Sequence, residues 1–569
     1  MEKNDIFSVK ITDLTSEGEG VGKTGGFTWF IKGTVPGDTV TASVMKVKKT
    51  YGYARAVEIT EASPDRVKAR CPIAGPCGGC QLQGLSYEAQ LRFKADKVKA
   101  AVTRIGGFPE GTFKTEPIIG MEDPWRYRNK AQYPVSRAKD GRVIAGFYAG
   151  HTHSVIGCAD CLIGAEADGA ILRIVTGFME KYGIEPYDEE TRRGLVRHVL
   201  IRTSRAFGEI LVCLVINGDS MKYGDKLVEA LVTAVPKVST VCLNINKENT
   251  NVILGDAVKC LFGNGYITDT IGGVSFRISP QSFFQVNPVQ VEKLYGKALE
   301  YAGLTGGETV WDLYCGVGTI SLFMARHAGR VSGVEVVPQA IENAKENAAL
   351  NGITNAFFTV GKAEEITPLW LKGAKCVKGT VLSDTLACVK KNRPLDTQYP
   401  DVVCVDPPRK GCDAACLNAI LQASPQRIVY VSCDPASLAR DLKILAAGGY
   451  TLKKLCPVDM FPHTVHVETV CLLSKLSDAK HHVEVELNLD EMDLTSAESK
   501  AAYDEIREYV MEQTGLHVTN LNIAQIKRKC GIIERENYNL PKSEDSRQPN
   551  CTKEKEEAIK EAFRNFGMI

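Results

Sequence analysis

The feature that most constrains the fold is an alternation of short apolar segments with helical segments, which begins near Gln290. In chain order the apolar segments are TVWDL, RVSGVE, AFFTV, DVVCVD and RIVYVSC, with TVCLLSK as a late one. Strands that alternate with helices are typical of a doubly wound parallel sheet. Because such a sheet binds ligands at the carboxyl ends of its strands, we expect a functional site where these segments end.

The rest of the chain predicts further domains, since 569 residues exceed what one hydrophobic core usually organises. Near the N-terminus, runs such as TVTASVMKV alternate with glycine-rich turns such as EGEGVGKTGG, which predicts a small antiparallel barrel. A helix is expected from Tyr87 to Ile105, and later strands with amphipathic stretches near 168–182 and 225–235 predict an α+β region. The predicted divisions are a barrel at 1–62, an α+β domain at 63–280, an α/β domain at 281–475 with a surface insertion at 372–400, and a helical extension at 476–569.

Charge and hydropathy exclude some classes of protein. Lys plus Arg number 69 and Asp plus Glu 68, so any nucleic-acid surface must be a local basic patch. No segment approaches the ~20 continuous apolar residues that span a bilayer, and the N-terminus lacks the apolar region of a signal peptide. We therefore expect a cytoplasmic protein whose nineteen cysteines are ligands, nucleophiles or core residues rather than a disulfide framework.

A candidate cofactor site follows the first strand of the α/β region. In WDLYCGVGTISLFMA a strand leads into a turn with Gly316 and Gly318 and then into a helix, so backbone N–H groups can approach a ligand closely. Glu335 ends the next strand, where it can accept hydrogen bonds from ribose hydroxyls. No third glycine follows for a pyrophosphate, which favours S-adenosylmethionine over NAD. Alternatively, the glycines only permit tight packing and Glu335 is a solvated strand end.

Two later strands end in reactive groups: DVVCVD in Asp406 of DPPRKG, and RIVYVSC in Cys433 of CDP. A DPP sequence also occurs in enzymes that methylate amino groups, whose nitrogen attacks the methyl group directly. The cysteine favours methylation of carbon 5 of a uracil, because this carbon becomes nucleophilic only after a thiolate adds to carbon 6. Arg409, or the N-terminus of the following helix, would help a thiol of pKa ~8.5 to ionise. Alternatively, Cys433 is only a small apolar residue that ends a strand.

A base must remove the carbon 5 proton before the thiolate can leave. Glu468 in MFPHTVHVET is the candidate proton acceptor. His463 and His466 have the spacing of a metal pair, but a strand-like TVHVE would direct them to opposite faces. We expect these histidines to orient or pack neighbouring groups.

Cys71, Cys77 and Cys80 are grouped in CPIAGPCGGCQLQ. Thiolates at this spacing can hold zinc or an iron–sulfur cluster, and the spacing alone does not separate the two. Cys77 and Cys80 could form two zinc knuckles with Cys158 and Cys161, but the gap between the two pairs is far longer than the usual ~15–20 residues. That pairing would also leave Cys71 without a role. The C-x3-C-x2-C spacing of radical S-adenosylmethionine enzymes is absent, which favours a structural or RNA-binding group.

Together and in this order, the motifs resemble the RNA (uracil-5-)-methyltransferase family, especially its iron–sulfur branch that modifies large-subunit ribosomal RNA. The resemblance covers about residues 5–475. IFSVKITDLTSEGEGVGK and VPGDTV resemble the OB-like TRAM domain, and WRYRNKAQYPV and RHVLIR resemble the central domain. SFFQVN, DLYCGVGTISL, DPPRKG, VSCDPASLARDL and FPHTVHVETV resemble the Rossmann-like catalytic domain.

The resemblance implies methylation of carbon 5 of a uracil in 23S ribosomal RNA by S-adenosylmethionine, with Cys433 as the nucleophile and Glu468 as the base. It implies contacts to S-adenosylmethionine or the uracil from the glycine turn and from Gln285, Tyr314, Glu335 and Asp406. Gln285 and Asp406 are the ones expected to contact the uracil, and Thr319 stands where many relatives carry asparagine.

The resemblance also implies a [4Fe–4S] cluster held by Cys71, Cys77 and Cys80, with a fourth ligand in HSVIGCADCLI. The match to that segment selects Cys161 over Cys158. Transfer RNA is the alternative substrate, and we expect a monomer.

The target uracil must be unpaired or flipped out, at a cost of a few kcal/mol. Expected RNA contacts, each of which could instead be a solvated side chain, are Lys46, Lys48, Lys49, Tyr51, Arg126, Arg128 and Lys130. The basic helix in IAQIKRKCGIIERENYNLPKSED could also contact nucleic acid, although the resemblance ends before it. Two other classes stay open: a cytosine-5 or amino-group methyltransferase, and a non-catalytic RNA-binding protein, against which the intact site residues argue.

Overall fold

A computed structural model describes residues 1–371 except 151 and 251, residues 399–476, and parts of 506–565. The chain forms two compact units, Met1–His481 and His482–Ile569. The predicted surface insertion at 372–400 lies outside the described residues, apart from its last two. Among the residues described, no helix is long and apolar enough to cross a membrane.

The N-terminal strands close into a barrel in the order β1-β2-β3-β5-β4. Their bounds are β1 (Ile6–Leu14), β2 (Gly20–Thr24), β3 (Phe27–Lys32), β4 (Thr39–Val47) and β5 (Tyr51–Glu61). The prediction that the whole of EGEGVGKTGG is a turn is wrong, because β2 pairs with β1 there. A Cβ at Gly22 would lie 2.5 Å from Val9 Cγ2, so glycine permits this close approach. The barrel also departs from the antiparallel prediction, since β3 and β5 run parallel.

Helix α1 (Tyr87–Arg104) and the short strand β6 (Lys114–Thr115) follow the barrel. The Ser86 side chain accepts a hydrogen bond from Ala89 N and so caps the first turn of α1. Val98 and Val102 of α1 are fully buried in the core of the α/β sheet described below. Helix α1, which the sequence assigned to the central domain, therefore packs against the α/β domain. The predicted domain boundaries stay predictions.

The central region is a seven-stranded sheet in the order β13-β12-β11-β10-β7-β8-β9. Its strands are β7 (Lys130–Arg137), β8 (Val143–Tyr148), β9 (Val155–Gly157), β10 (Val196–Thr203), β11 (Ile210–Ile216), β12 (Val238–Ile245) and β13 (Ala257–Phe262). Helices α2 (Asp168–Tyr182) and α3 (Gly224–Ala234) share a hydrophobic core with this sheet. Leu200 and Leu211 of the sheet instead join the core of the α/β region.

The hairpin β14 (Ile267–Ile271) and β15 (Val274–Ile278) leads into an eight-stranded sheet in the order β18-β17-β16-β19-β20-β22-β21-β6. Its other strands are β16 (Thr309–Leu313), β17 (Arg330–Glu335), β18 (Ala356–Val360), β19 (Val402–Val405), β20 (Arg427–Ser432), β21 (Tyr450–Val458) and β22 (Glu468–Lys475). The helices of this region are α4 (Pro288–Ala302), α5 (Thr319–Ala325), α6 (Pro338–Leu350), α7 (Ala363–Leu371), α8 (Ala414–Ala423) and α9 (Pro435–Ala447).

The first five strands of this sheet, from β18 to β20, run parallel as predicted. Strand β22 is antiparallel to both β20 and β21, so the parallel prediction is wrong for the last strands. The reason is the connection between β21 and β22. Residues 459–467 are too few for a crossover to a parallel strand, which takes roughly a dozen residues or more.

In the second unit, the described residues include helix α10 (Lys553–Asn565). Ile559 and Phe563 of this helix are buried with Ile506, Val510 and Ile523 in a small apolar core. Much of the predicted helical extension, including residues 477–505 and 531–551, lies outside the described part of the chain.

Candidate active site

A cleft of about 1540 Å³ opens where β16, β17, β19 and β20 end. This volume exceeds the roughly 300–1,000 Å³ of common small-molecule pockets, so it has room for a cofactor and a second ligand. The structure brings most of the sequence-predicted site residues together on its lining, namely Gln285, Tyr314, Gly316, Glu335, Asp406, Cys433 and Glu468. Gly318 is the predicted site residue that does not line the cleft.

The glycine turn places its two glycines in different surroundings. A Cβ at Gly316 would meet nothing within 4 Å, which leaves the backbone open to the cleft. A Cβ at Gly318 would lie 3.0 Å from Phe358, so this glycine permits close packing of the turn. Glu335 accepts hydrogen bonds from Gly316 N at 3.2 Å and from Val337 N at 3.0 Å. The carboxylate therefore holds the turn as well as facing the cleft.

The pairing of β20 with β22 brings the predicted nucleophile and the predicted base together. Ser432 pairs with Thr469 in the antiparallel ladder. The next residues outward, Cys433 and Glu468, therefore lie side by side at the edge of the cleft. Asp406 follows β19, the parallel neighbour of β20 on the other side.

The two carboxyl groups at this edge hold their protons more tightly than usual. Burial raises the pKa of Glu468 to about 8, with a further contribution from Asp406, while Arg409 opposes the shift. Burial also raises the pKa of Asp406 to about 6. The charge of Asp406 thus adds to the effect of burial and favours the protonated form of Glu468 near neutral pH.

The ionisation of the Cys433 thiol, which Arg409 was expected to favour, is opposed by stronger effects. Burial, followed by the charges of Glu468 and Asp406, raises the pKa of Cys433 to about 12, and Arg409 only reduces this shift. The N-terminus of α9 gives no net help either. Asp434 accepts hydrogen bonds from Ala436 N and Ser437 N at that terminus, and its own charge favours the neutral thiol. Arg409 therefore lowers the pKa of this thiol, as expected from the sequence, but burial and the two carboxyl groups outweigh its effect.

Comparison with known proteins shows the family. The model of the family described as "tRNA (Uracil-5-)-methyltransferase" matches residues 255–476, and the TRAM domain model matches residues 2–57. A protein of Halalkalibacterium halodurans described as an uncharacterized RNA methyltransferase is 48% identical over 473 residues, which are 83% of this chain and 98% of the relative. An uncharacterized RNA methyltransferase of Bacillus cereus is 45% identical over 84% of this chain and 98% of its own length. The chain belongs to the RNA (uracil-5-)-methyltransferase family.

Among solved structures, a tRNA (uracil-54, C5)-methyltransferase of Pyrococcus abyssi in complex with S-adenosyl-L-homocysteine resembles this chain with a TM-score of 0.62. The two are 26% identical, and the match covers 82% of this chain and all of the other. The prediction of an N-terminal TRAM barrel and a methyltransferase fold is confirmed.

In this family member Thr319 lines the cleft, and its hydroxyl lies 2.9 Å from that of Tyr295.

Asp312 is a cleft residue that the sequence motifs did not single out. Burial raises the pKa of Asp312 to about 7, and Ser321 Oγ donates to it at 2.5 Å. The signal for Asp312 was present in the sequence, because it is the acid inside the otherwise apolar segment TVWDL.

The histidines of FPHTVHVET do not lie on a strand, so that part of the prediction is wrong. Residues 459–467 form a loop, and His463 has a φ of 67°. The His463 ring stacks on Trp125 with centroids 3.9 Å apart, whereas His466 lines the cleft. Burial lowers the pKa of both imidazoles to about 4, so both are neutral at pH 7.

The grouped cysteines line a second, smaller cavity of about 250 Å³. The five thiols on it are those of Cys71, Cys77, Cys80, Cys158 and Cys161. Among the described residues, no group of three His, Cys, Asp or Glu side chains is arranged to hold a metal ion. A hydrogen bond from Cys158, with bonds from the backbone N–H groups of Ile163 and Gly164, lowers the pKa of Cys161 to about 6 against the effect of burial. Cys158, the donor of that bond, has a raised pKa.

Proposed function

We propose that this protein methylates carbon 5 of a uracil in RNA, with S-adenosylmethionine as the methyl donor and Cys433 as a covalent nucleophile. The observation that carries the proposal is the adjacency of Cys433 and Glu468 across β20 and β22, beside Asp406 and the glycine turn. Methylation of an amino group needs neither a thiol nor a separate base in this place. Family membership and the cleft volume support the same reaction.

The reaction divides into three steps that the site residues can perform. The Cys433 thiolate forms a bond to carbon 6, and the carbon 5–carbon 6 π electrons move to give an enolate. Carbon 5 then bonds to the methyl group as the methyl–sulfonium bond breaks and S-adenosylhomocysteine is released. Glu468 takes the carbon 5 proton, the double bond re-forms, and the bond between carbon 6 and Cys433 Sγ breaks. The products are 5-methyluridine, free thiolate and a proton on Glu468.

The raised pKa values of the site fit a reaction that starts only when both substrates are bound. A sulfonium cation beside the cleft carboxyls favours their ionised forms and that of the thiol. The positive charge of the methyl donor thus supplies part of the stabilisation that Arg409 alone does not give. Gln285 and Asp406, which face the same cleft, would hold the uracil, and Tyr314 and Glu335 would hold the donor.

We further propose a [4Fe–4S] cluster held by Cys71, Cys77, Cys80 and Cys161. The place of these cysteines on the lining of one cavity supports it, and the match of HSVIGCADCLI to the family's segment favours Cys161 over Cys158 as the fourth ligand. When bound, the cluster would supply a covalent tie between the segment 71–80 and the turn at Cys161. Gly79 lies on the linings of both cavities, so the cluster would also shape one wall of the active-site cleft.

The proposed substrate is 23S ribosomal RNA, which the resemblance of the cysteine group and barrel to the ribosomal branch favours. Transfer RNA is the second candidate, because the similar Pyrococcus abyssi enzyme is a tRNA methyltransferase. We propose a monomer acting on a flipped-out uracil in either case.

The test is nucleoside analysis of ribosomal and transfer RNA incubated with purified protein and labelled S-adenosylmethionine. The expected product is 5-methyluridine, formed by the native chain and absent with Cys433→Ala. Formation of 5-methylcytidine or of an N-methylated base would contradict the proposal, as would 5-methyluridine made at the native rate by Cys433→Ala. Fractionating the labelled RNA separates the two substrate candidates.

The cluster has its own test. Cys161→Ser should lower the iron and sulfide content of anaerobically purified protein, whereas the matched Cys158→Ser should not. Equal iron content in Cys161→Ser and the native chain would exclude Cys161 as a ligand.

A further inference from the structure

The loop of residues 459–467 leads directly into Glu468 and forms part of the cleft wall. Phe461, Thr464 and His466 of this loop line the cleft. The loop has no regular secondary structure, and few of its backbone hydrogen bonds are internal, among them one from Thr464 N to Phe461 O at 3.2 Å. Glu468 opens β22 and pairs with Val458 of β21, so the sheet sets its backbone, whereas the cleft wall beside its side chain depends on what holds the loop.

Helix α1 supplies several of the groups that hold the loop, beside Asn287 and Gln290, whose side chains donate to Met460 O and Asp459 O. Three of its side chains bond to the loop backbone: Lys94 Nζ donates to Phe461 O at 3.0 Å, Lys97 Nζ donates to Val465 O at 3.1 Å, and Gln90 Oε1 accepts from His463 N at 2.9 Å. This helix lies outside residues 255–476, the segment that the methyltransferase family model matches. The loop before the proposed base is therefore shaped by a distant part of the chain.

The strongest of these contacts is a buried ion pair between α1 and the start of the loop. Lys94 Nζ lies 2.5 Å from Asp459 Oδ1, and both side chains are 0% exposed. Tyr87 OH donates to the other carboxylate oxygen at 2.8 Å. Burial of two charges is unfavourable, and an apolar pair of similar volume often stabilises a fold as well or better. Stability alone therefore does not explain why charges occupy these positions.

The loop conformation is strained and needs an external restraint. His463 has a φ of 67°, in the left-handed region that non-glycine residues seldom occupy and that costs about 1–3 kcal/mol. Gln90 accepts from the His463 backbone, and its Nε2 lies 3.3 Å from His463 Nδ1. Trp125 stacks on the same ring.

We propose that Lys94, Asp459 and Gln90 are positioning residues for Glu468. They hold the loop so that the Glu468 carboxylate meets the carbon 5 proton after methyl transfer. The inference rests on the proposed function. Cys433 addition and methyl transfer do not require this positioning, because β20 itself presents the thiol. Loss of the network therefore slows proton removal and leaves the two earlier steps intact.

The test measures the early and late steps separately. RNA that carries 5-fluorouridine forms a stable methylated adduct with Cys433, because the fluorine cannot be removed as a proton, so its rate reports the early steps. RNA that carries uridine reports complete turnover, and adduct that accumulates with it reports slow proton removal. The variants are Lys94→Met/Asp459→Leu, which leaves no lone buried charge, and Gln90→Leu, which leaves the ion pair intact. Arg92→Leu is the control, because it breaks an ion pair of the same helix whose side chains are 59% and 39% exposed.

Both network variants should form the fluorouridine adduct at the native rate. With uridine RNA their turnover should fall, by about 10²-fold for a displacement near 1 Å, while methylated adduct accumulates. Arg92→Leu should match the native chain in both assays. Equal losses in both assays, or native turnover, would overturn the inference, and Gln90→Leu decides it if the double variant does not fold. Glu468→Gln separates the two proposals. If Glu468→Gln turns over uridine RNA at the native rate, the proposed function fails. If Glu468→Gln accumulates adduct and the network variants do not, only the positioning role fails.

Discussion

The reactive groups of the cleft reach it in two different ways. Asp406 and Cys433 follow parallel strands, so the topology of the sheet brings them to one edge beside the glycine turn. Glu468 begins an antiparallel strand and arrives through a loop that helix α1 holds. A sheet of this class positions strand ends without further help. Glu468, the proposed base, pairs with Val458 in the sheet, and in our proposal it also needs buried charges and a strained residue outside the sheet.

The difference divides the chemistry at a defined step. In the proposed reaction, Asp406 and Cys433 act before methyl transfer is complete, and Glu468 acts afterwards. Changes to the two sets should therefore stall the reaction at different points.

The largest separation is expected for Glu468→Gln. Without a carboxylate to take the carbon 5 proton, turnover should fall by about 10²–10⁴-fold, the usual contribution of a general base. The thiol and the sheet are unchanged, so a methylated adduct with uridine RNA should accumulate, visible as a slower band on a denaturing gel. Loss of turnover without adduct would place Glu468 before methyl transfer and break the comparison.

Asp406→Asn should give the opposite pattern. We expect about 10²–10³-fold slower adduct formation with 5-fluorouridine RNA, the loss typical of removing one preorganised polar contact. No methylated adduct should accumulate with uridine RNA, because the block precedes addition. Accumulation of adduct in this variant would show that Asp406 serves the late step instead.

The pH dependence of the late step sharpens the same comparison. The pKa of Glu468 is raised to about 8, and the base acts only when ionised. Breakdown of pre-formed methylated adduct should accelerate by about tenfold per pH unit until that pKa is reached, and then level off. A rate that falls with rising pH between 6 and 8 would contradict Glu468 as the base.

The smallest expected effect concerns stability. Glu468 has a higher pKa in the folded protein than its ordinary 4.5, so the folded state binds its proton more tightly than the unfolded state. Its contribution is therefore most favourable below pH 4.5 and is lost as pH rises towards 8. Glu468→Gln should unfold like the native chain at acidic pH and be more stable at pH 8, by up to about 4 kcal/mol for a pKa shift of this size. A denaturant titration at the two pH values measures the difference, and a variant less stable at pH 8 would refute the burial argument.

The sequence predicted those parts of the molecule that follow from local pattern. The apolar periodicity located the strands of the α/β region, and the strand-end rule placed Asp406 and Cys433 at one cleft. The residues of MFPHTVHVET offered Glu468 as a proton acceptor, and the family resemblance implied the same role. The parallel prediction failed at β22 because the short connection of 459–467 overrides the pattern of the strands before it.

The sequence could not predict the contacts that join distant segments. Lys94 and Asp459 are 365 positions apart, and nothing in either local pattern marks a buried pair. For a related reason, the sequence could not predict that the pKa of Cys433 is raised. Arg409 is visible in the motif, whereas burial and the two carboxyls depend on the folded cleft.

The most direct test of the central claim is mass spectrometry of the protein after reaction with S-adenosylmethionine and RNA that carries 5-fluorouridine. The account predicts one methylated 5-fluorouridine nucleotide bound to the peptide that contains Cys433, and none in Cys433→Ala. A nucleotide attached to another residue, or 5-methyluridine formed from uridine RNA by a chain that yields no adduct, would contradict it.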